Sequence, residues 1–250
     1  MLQKRLGDVR VDLGTFVLFG TIADREWLIR IRDGRYEPYM ISLFESVLHP
    51  GLTVLDAGAH IGLYSVLAGT RVGSEGAVIS FEPNPVSFRL LHKNIRANGL
   101  EDRATCIDAA LSESEGTSSL FFSDLDRDMS SLHRTDDHES SIDVRTVALD
   151  EFLPEGMAID VIKIDIEGAE MAALRGMESV LKRNSQVVLF IECFPEGLIR
   201  AGSHPEEMLT FLRHKGFSVR VIDERERALR YIEKDHLSRG GFVNLCALRR

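Results

Sequence analysis

Residues 53–62 read Thr-Val-Leu-Asp-Ala-Gly-Ala-His-Ile-Gly, and they are the strongest indication of the fold of the chain. Val54 and Leu55 complete a short apolar run that follows a Pro-Gly pair, as is typical of a buried parallel strand. The next residues are small, and residues 63–68 then have the composition of a helix. A strand, a glycine turn and a helix in this order predict a nucleotide-like ligand at the carboxyl end of a parallel sheet.

The glycine spacing of this turn indicates which ligand it could hold. Gly58 and Gly62 form Gly-x-x-x-Gly, and His60 stands where a dinucleotide-binding fingerprint has its middle glycine. The turn contains no Lys or Arg for a pyrophosphate, and it offers the acid Asp56 instead. An acidic, phosphate-free pocket suits a ligand with an amine, a ribose and a sulfonium, which is S-adenosylmethionine. We therefore predict that Asp56, Gly58, Ala59, His60 and Gly62 bind this cofactor.

Composition narrows the class of protein. With 250 residues and 44% hydrophobic residues, the chain is expected to form one domain of ordinary size. The net charge of −9 argues against nucleic acid as the main partner, because tracking phosphates requires clustered Lys and Arg. The wide spacing of the three cysteines predicts buried free thiols rather than disulfides or a zinc site. No apolar run is long enough for a signal peptide or a membrane span, so we expect a soluble, cytoplasmic protein.

The first 35 residues predict a β extension ahead of a main domain that spans residues 36–250. Residues 9–13 and 27–31 alternate apolar and polar positions, with turn residues between them, which is typical of a β-ribbon. A Tyr-Glu-Pro sequence then begins a helix, with proline at a tolerated first-turn position. Its acid, Glu37, either supplies a favourable charge at the helix N-terminus or reaches the cofactor.

A second strand, residues 77–82, is predicted to end at the same crevice. Its last residue, Glu82, lies a little over twenty residues beyond the glycine turn. That is close to the spacing of an acid that accepts hydrogen bonds from both ribose hydroxyls. Pro83 and Asn84 stop the strand and begin a helix, and we include both residues in the predicted cofactor site.

A third strand, residues 104–111, carries a lone acid near its end. In a doubly wound sheet this end faces the same crevice. Asp108 is therefore either a turn-forming residue or the acceptor of the adenine amino group, with Ala109 beside it.

Residues 121–142 differ in character from the rest of the chain. Acids, serines and histidines follow one another there without a helical period. A polar excursion of this length is usually a functional cover or a disordered segment, and we interpret it as a loop on the acceptor side. The acids lack the glycine and the terminal glutamate of an EF-hand loop. His133 and His138 are candidate bases, since an ordinary imidazole pKa lies near neutral pH.

Residues 159–170 form the second informative stretch, Ile-Asp-Val-Ile-Lys-Ile-Asp-Ile-Glu-Gly-Ala-Glu. The side chains of Lys163 and Asp165 share one face of a predicted buried strand, and Glu167 follows in a turn. Charges at the end of a central strand are costly unless they are paired or functional. Glu192 ends the next strand beside the same crevice. These four residues are the catalytic candidates, although a structural ion pair or a magnesium site would use the same carboxylates; we assign no metal ligands, and the sequence leaves a metal requirement open.

Taken together, these motifs resemble the FkbM family of class I methyltransferases. The resemblance covers roughly residues 35–195 and rests on the segments 36–38, 53–62, 81–85, 149–152, 159–170 and 174–176. It implies an α/β fold with a doubly wound, mostly parallel, seven-stranded Rossmann-like sheet, to which the N-terminal ribbon is an extension. It also implies S-adenosylmethionine as cofactor, S-adenosylhomocysteine as product, and O-methylation of a hydroxyl, often on a sugar or a polyketide.

Other functions remain open at this point. A nicotinamide-dependent oxidoreductase is opposed by the glycine spacing and by His60. A non-catalytic adenosyl-binding module would keep Glu82 and Asp108 but would need no acids on the acceptor side. Methylation of a nucleic-acid base is weaker still, because residues 165–168 lack a Pro-Pro-aromatic run that could hold a flipped base. The expected partner is therefore a small-molecule or carbohydrate acceptor.

Overall fold

The computed structural model describes residues 8–123, 130–134, 140–233, 236–237 and 241–249. Its strands are, in chain order, β1 (Val9–Asp12), β2 (Val17–Gly20), β3 (Thr53–Ala57), β4 (Ala77–Phe81), β5 (Ala104–Ile107), β6 (Ala110–Leu111), β7 (Gly116–Phe122), β8 (Ser140–Val147), β9 (Val161–Ile164), β10 (Val188–Cys193), β11 (Phe217–Asp223), β12 (Ala228–Arg230) and β13 (Val243–Arg249). Its helices are α1 (Arg25–Arg32), α2 (Pro38–Val47), α3 (Leu63–Arg71), α4 (Pro85–Ala97), α5 (Leu149–Phe152), α6 (Glu170–Arg175), α7 (Glu178–Arg183), α8 (Pro195–Arg200) and α9 (Pro205–His214).

One sheet forms the centre of the fold, in the strand order β12-β11-β13-β10-β9-β3-β4-β5. The five strands from β10 to β5 run parallel, whereas β13 is antiparallel to both β10 and β11. Helices α1–α4 cover one face with an apolar cluster that includes Leu67 and Leu91. Helices α5–α9 cover the other face with a cluster that includes Leu174 and Leu212. The prediction of an α/β fold with a doubly wound, mostly parallel sheet is confirmed.

The number of strands differs from the sequence prediction. The sequence predicts seven strands, but this sheet has eight among the described residues. The additional strand, β12, pairs antiparallel with β11, and the two form a hairpin whose turn is residues 224–227. A strand of three residues is too short to show the alternation that a sequence pattern needs.

The N-terminal extension contains a ribbon and a helix. Strands β1 and β2 pair antiparallel, as predicted for a ribbon, but the second predicted strand, residues 27–31, lies inside α1. That prediction is wrong because the positions that the core requires are Leu28 and Ile31. These residues are three apart and face the same way only in a helix.

Asn94 in α4 and Asn98, the residue directly after it, attach β2 to the main domain. The side chain of Asn94 accepts a hydrogen bond from the Phe19 amide at 2.7 Å and donates one to the Phe19 carbonyl at 2.9 Å. Asn98 binds Val17 in the same two-sided way, at 2.9 and 2.8 Å. The extension, as far as the structure describes it, therefore packs directly on the main domain.

The predicted third strand is divided between two sheets. In the central sheet, β5 ends at Ile107, whereas β6 pairs in parallel with β8. Strand β8 also pairs antiparallel with β7, which gives a separate three-stranded sheet in the order β6-β8-β7. The prediction of one continuous strand over residues 104–111 is wrong, since the chain leaves the central sheet after Ile107.

The predicted acceptor-side loop begins and ends in regular structure. Residues 121–122 belong to β7 and residues 140–142 belong to β8. Between them, Ser131 forms a two-hydrogen-bond bridge with Phe121. Residues 124–129 and 135–139, which include His138, lie outside the described residues.

Two expectations from composition can be compared with the structure. Cys193 and Cys246 are buried and Cys106 is half-buried, and all three are free thiols, as predicted. In the described part of the chain, no helix has both the length and the apolar character needed to cross a membrane.

Candidate functional site

A pocket of about 810 Å³ lies at the carboxyl ends of the parallel strands. Strands β3, β4, β9 and β10 each contribute one acid to its wall, at or directly after the strand end: Asp56, Glu82, Asp165 and Glu192. Parallel strands end at one edge of the sheet, which is why acids far apart in sequence meet here. A pocket of this size can hold a cofactor together with a small acceptor.

The turn after β3 requires its two glycines. Gly58 has a φ of 77°, and a Cβ atom there would lie 1.8 Å from the backbone oxygen of Asp165. Gly62 has a φ of 94° at the start of α3, and its Cβ would lie 2.7 Å from a methyl carbon of Leu91. Both left-handed positions favour glycine, and Gly58 also lets this turn pack directly on the turn after β9.

The Glu82 carboxyl group is held in place by two backbone amides. One oxygen accepts a hydrogen bond from the His60 amide at 2.7 Å, and the other accepts one from the Asn84 amide at 2.7 Å. Burial raises the pKa of Glu82 to about 7, against the opposing effects of His60 and of these two hydrogen bonds. The carboxyl group is thus held in place, and each oxygen keeps a further lone pair that can face a ligand.

Asp56 lines the pocket and has one buried carboxylate oxygen without a hydrogen-bond partner in the described part of the chain. Its Oδ2 atom accepts a hydrogen bond from the Ser65 hydroxyl at 2.6 Å, and Ser65 also contacts Ser80 at 2.7 Å. Its Oδ1 atom is buried and has no hydrogen-bond partner among the described residues. Burial raises the pKa of Asp56, although Lys163 opposes that effect. A buried, unpartnered carboxylate oxygen at a pocket wall is an acceptor for a donor group of a ligand.

The pocket floor, which we define as Lys163, Asp165, Glu167 and Glu192, contains the catalytic candidates. The Lys163 Nζ atom lies 2.7 Å from Asp165 Oδ2 and 4.5 Å from the centre of the Tyr64 ring. Burial opposes the charge on Lys163, but Asp165 and Asp56 outweigh it and raise the pKa of Lys163 above its ordinary value.

Asp165 and Glu192 form a carboxyl pair on this floor. Burial favours a neutral Asp165, yet Lys163 more than offsets burial and holds the pKa of Asp165 below its ordinary value. Burial and the charge of Asp165 raise the pKa of Glu192 far above its ordinary range. The pKa of Asp165 is thus the lower of the two, which makes Asp165 the better candidate for the charged carboxylate of the pair.

Glu167 reaches the floor from a turn that Glu170 holds from below. Glu167 has a φ of 52° and Gly168 a φ of 104°. The Glu170 carboxyl is fully buried and accepts a hydrogen bond from the Gly168 amide at 2.9 Å. Burial raises the pKa of Glu170 to about 7. From the other side, the Ser131 hydroxyl donates to the Glu167 carbonyl at 2.7 Å.

Glu37 lines the pocket, as it must if its side chain is to reach the cofactor. It has a φ of 40° before α2 and lines the pocket. The Tyr64 hydroxyl donates to its carboxyl at 2.8 Å, and the Asn244 amide donates to the other oxygen. Burial raises its pKa, which Lys163 partly opposes. Tyr64 and Asn244 were not predicted as site residues. Asn244 interrupts the apolar start of β13, which is a signal in the sequence.

The structure does not bring all the predicted residues into the pocket wall. Ala59, His60, Pro83 and Ala109 line it with the residues described above. Three described residues lie outside the wall: Gly62, Asn84, which caps α4, and Asp108, which is exposed. Their assignment to the cofactor site stays a prediction. His133 also lies outside the wall, and burial followed by the charge of Arg200 lowers its pKa.

Three exposed arginines line the pocket, and none of them was predicted as a site residue. Arg30, Arg35 and Arg225, which we call the basic rim, line the same pocket as the floor acids. Trp27, Tyr36 and Phe242 also line it, and the rings of Trp27 and Tyr36 meet edge to face with centroids 5.3 Å apart. Exposed arginines show no distinctive spacing in a sequence, so no local signal could have identified the rim.

The floor acids could also hold a divalent cation. One carboxylate oxygen from each of Asp165, Glu167 and Glu192 lies within 4.8 Å of the other two. Oxygen ligands of this kind suit Mg²⁺ or Ca²⁺. The ammonium of Lys163, 2.7 Å from Asp165, neutralises part of this charge, so an ion-paired cluster is the alternative to a metal site.

Comparison with protein families and curated proteins gives consistent matches. The sequence model of the Methyltransferase FkbM domain matches residues 56–219. The chain is 27% identical over 204 residues to "Hexuronic acid methyltransferase AglP" of Haloferax volcanii, which covers 80% of this chain and 78% of that protein. It is 26% identical over 190 residues to "Methyltransferase 1" of Beauveria bassiana, which covers 67% of this chain and 73% of that protein.

Solved structures with a similar fold are methyltransferases as well. A putative rRNA-methylase from Clostridium thermocellum aligns with a TM-score of 0.53 at 13% identity, over 85% of this chain and 96% of that one. A SAM-dependent O-methyltransferase from Thermotoga maritima aligns with a TM-score of 0.50 at 13% identity, over 93% of this chain and 72% of that one. At such low identities these structures share the fold alone.

Proposed function

The chain belongs to the FkbM methyltransferase family and is an S-adenosylmethionine-dependent methyltransferase, and from this premise we propose that it methylates a hydroxyl of a small-molecule or carbohydrate acceptor. The observation that carries the proposal is the position of Asp165 on the pocket floor, 2.7 Å from the Lys163 ammonium and with a carboxylate oxygen within 4.8 Å of one from Glu192. A hydroxyl must lose its proton when it is methylated, and Asp165 can accept that proton. The printed name of the Haloferax relative, a hexuronic acid methyltransferase, supports a carbohydrate acceptor.

The pocket residues fit S-adenosylmethionine. The unpartnered oxygen of Asp56 can accept a hydrogen bond from an amine, and the fixed carboxyl of Glu82 can accept from ribose hydroxyls. Neither the turn after β3 nor the turn after β4 places a cationic side chain in the pocket wall, as a pyrophosphate would require. This donor and acceptor pattern favours the adenosyl cofactor over the nicotinamide alternative, which the family assignment also sets aside.

The floor residues divide the work of methyl transfer. When bound, the cofactor supplies an electrophilic methyl group on a sulfonium, which is already a good leaving group. Asp165 would hold the acceptor hydroxyl through one carboxylate oxygen and receive its proton. Lys163, 2.7 Å from Asp165, would favour the ionised form of Asp165, and the raised pKa of Glu192 leaves Asp165 as the better candidate for the base. Glu167, beside them, would orient the acceptor.

The net charge and the pocket also bear on the class of acceptor. The net charge of −9 disfavours binding along a phosphate backbone, and three arginines at one pocket are too few to track one, so we propose that nucleic acid is not the acceptor. The rRNA-methylase likeness concerns the fold alone at 13% identity.

The test is the Asp165→Asn variant, assayed with a panel of hydroxyl compounds for release of S-adenosylhomocysteine. The amide keeps the size of the side chain but cannot take a proton, so turnover should fall by about 10²–10⁴ while cofactor affinity changes little. The matched control is Asp102→Asn, because the Asp102 carboxylate is exposed, binds only its neighbour Arg103 and lies outside the pocket wall. Full turnover by a folded Asp165→Asn protein would contradict the proposal.

A further inference from the structure

The basic rim contrasts in charge with the pocket below it. Its arginines come from two segments that are far apart in sequence, α1 with the residues after it and the β11–β12 turn. They are exposed, whereas Lys163 and Glu167 on the floor are buried. The whole chain has a net charge of −9, so arginines gathered at one pocket mouth do not follow from composition.

The hairpin that carries Arg225 is pinned to α2 on both sides of that residue. The Glu224 carboxylate accepts hydrogen bonds from the amides of Tyr39 and Met40 at 2.8 and 2.7 Å. On the other side, the Arg227 guanidinium lies 5.7 Å from the centre of the Tyr39 ring. Both neighbours are thus used for attachment, and Arg225 is the member of the turn that lines the pocket mouth with Glu224.

The other two arginines flank Tyr36. The Arg30 guanidinium lies 5.9 Å from the centre of the Tyr36 ring, and Arg35 immediately precedes Tyr36 in the chain. Arg35 is paired with the exposed Asp33 at 2.7 Å. Within the described ranges, neither Arg30 nor Arg225 has a carboxylate within ion-pair distance. Two rim guanidinium groups therefore retain their full capacity for an anion.

Charge decides how an anionic molecule would lie in this pocket. Ionised Asp165 on the floor would repel an anionic group, and the guanidinium groups at the mouth would attract it. A guanidinium offers paired N–H donors that match a carboxylate. A molecule with a hydroxyl at one end and a carboxylate at the other would therefore be oriented with its hydroxyl toward Asp165.

We propose that the acceptor carries a carboxylate, which the basic rim binds while the acceptor hydroxyl faces the floor. This inference rests on the proposed hydroxyl methylation and adds a substrate class to it. The relevant residues, Arg30, Arg35 and Arg225, all lie outside the 56–219 range that matches the family model. The rim is thus a feature of this chain that family membership does not assign.

The experiment uses a matched pair of probes, methyl glucuronoside and methyl glucoside, which differ in a carboxylate against a hydroxymethyl group. Calorimetry on the full chain saturated with S-adenosylhomocysteine should show about tenfold tighter binding of the glucuronoside. In the Arg30→Gln/Arg225→Gln double variant this preference should disappear. The control is Arg96→Gln, whose side chain is 84% exposed and which lies outside the pocket wall.

Each outcome distinguishes the rim from the chemistry below it. Equal binding of the two probes, or binding of neither, overturns the carboxylate inference. If the double variant instead loses affinity for S-adenosylhomocysteine, the rim binds the cofactor's own carboxylate and the inference is wrong. Turnover is measured separately: preferential binding of the glucuronoside with turnover of no hydroxyl compound would support the rim but contradict the proposed hydroxyl methylation.

Discussion

The charged groups of the pocket floor are buried or half-buried and close together, whereas those of the basic rim are exposed and come from separate segments. On the floor, a buried ammonium lies 2.7 Å from Asp165, three carboxyl groups have oxygens within 4.8 Å of one another, and the charges of neighbouring groups shift the pKa values of Asp165 and Glu192. At the rim, exposed guanidinium groups stand on separate segments, and each can act alone. A change at one floor residue therefore spreads through the cluster, whereas a change at one rim residue should stay local.

The two regions also differ in where the chain supplies them. The floor comes from the ends of β9 and β10, inside the range that matches the family model. The rim comes from α1 and the β11–β12 turn, outside that range. In the proposals above, the central strands supply the residues for methyl transfer, and the two flanking segments supply the residues that select the acceptor.

The largest expected effect is on the floor, in the Lys163→Met variant. Removing the buried ammonium leaves Asp165 and Asp56 without a compensating charge. Loss of one partner of a buried pair costs about 3–5 kcal/mol of unfolding free energy. Without Lys163, burial should raise the pKa values of both Asp165 and Asp56, so the loss should grow as pH rises and these groups become charged. Urea unfolding at pH 5 and pH 8 measures both effects.

The control for this variant is Lys215→Met. Lys215 is paired with Glu178 near the surface, so its loss should cost less than about 1 kcal/mol. If the two variants unfold alike, the floor is not the coupled cluster described above.

A smaller effect is expected in the cofactor wall, with the Glu82→Gln variant. Loss of a charged acceptor for the ribose hydroxyls should weaken S-adenosylhomocysteine binding by about 1.5–3 kcal/mol. The pKa of Glu82 in the free protein is about 7, and the ionised form is the better acceptor. Affinity of the parent should therefore rise between pH 6 and pH 8, while that of the variant should not. Calorimetry provides the measurement, with the exposed Glu75→Gln as the control variant. If Glu82→Gln and the parent bind S-adenosylhomocysteine with equal affinity, the ribose assignment is wrong.

The smallest effect concerns salt, which should separate the rim from the floor. Exposed charges are screened within about 10 Å at 0.1 M ionic strength, whereas buried pairs are screened much less. Raising the salt concentration should increase KM for a carboxylate acceptor by roughly threefold and leave kcat nearly constant. Steady-state kinetics with an acidic and a neutral acceptor provide the measurement. An equal change for both acceptors would mean that the rim does not recognise charge.

The acids that meet in the pocket could be predicted from the sequence because strand ends leave a local signal. Asp56, Glu82, Asp165 and Glu192 each interrupt or end an apolar run, and the parallel topology then brings them to one edge. The placement of these residues in the pocket agrees with that reasoning. Their individual roles remain the proposals tested above.

Other parts of the molecule could not be predicted from local pattern. Residues 27–31 fit both an alternating strand and a helix, and the choice depends on the core that Leu28 and Ile31 meet. Tyr64 and Asn244 join the site only because α3 and β13 pass beside Glu37. The rim requires two chain segments to meet, which no spacing rule in one sequence describes.

The backbone around the pocket has a consequence for protein engineering. Glu37, His60 and Glu167 have φ values of 40°, 50° and 52°, which side chains other than glycine rarely adopt, and all three line the pocket. Such positions cost on the order of 1–3 kcal/mol each and persist where the surroundings impose them. Substitution by glycine should therefore raise thermal stability at these positions. Each such substitution would also remove a side chain that lines the pocket. The most heat-resistant descendants of this chain should be sought elsewhere in the fold.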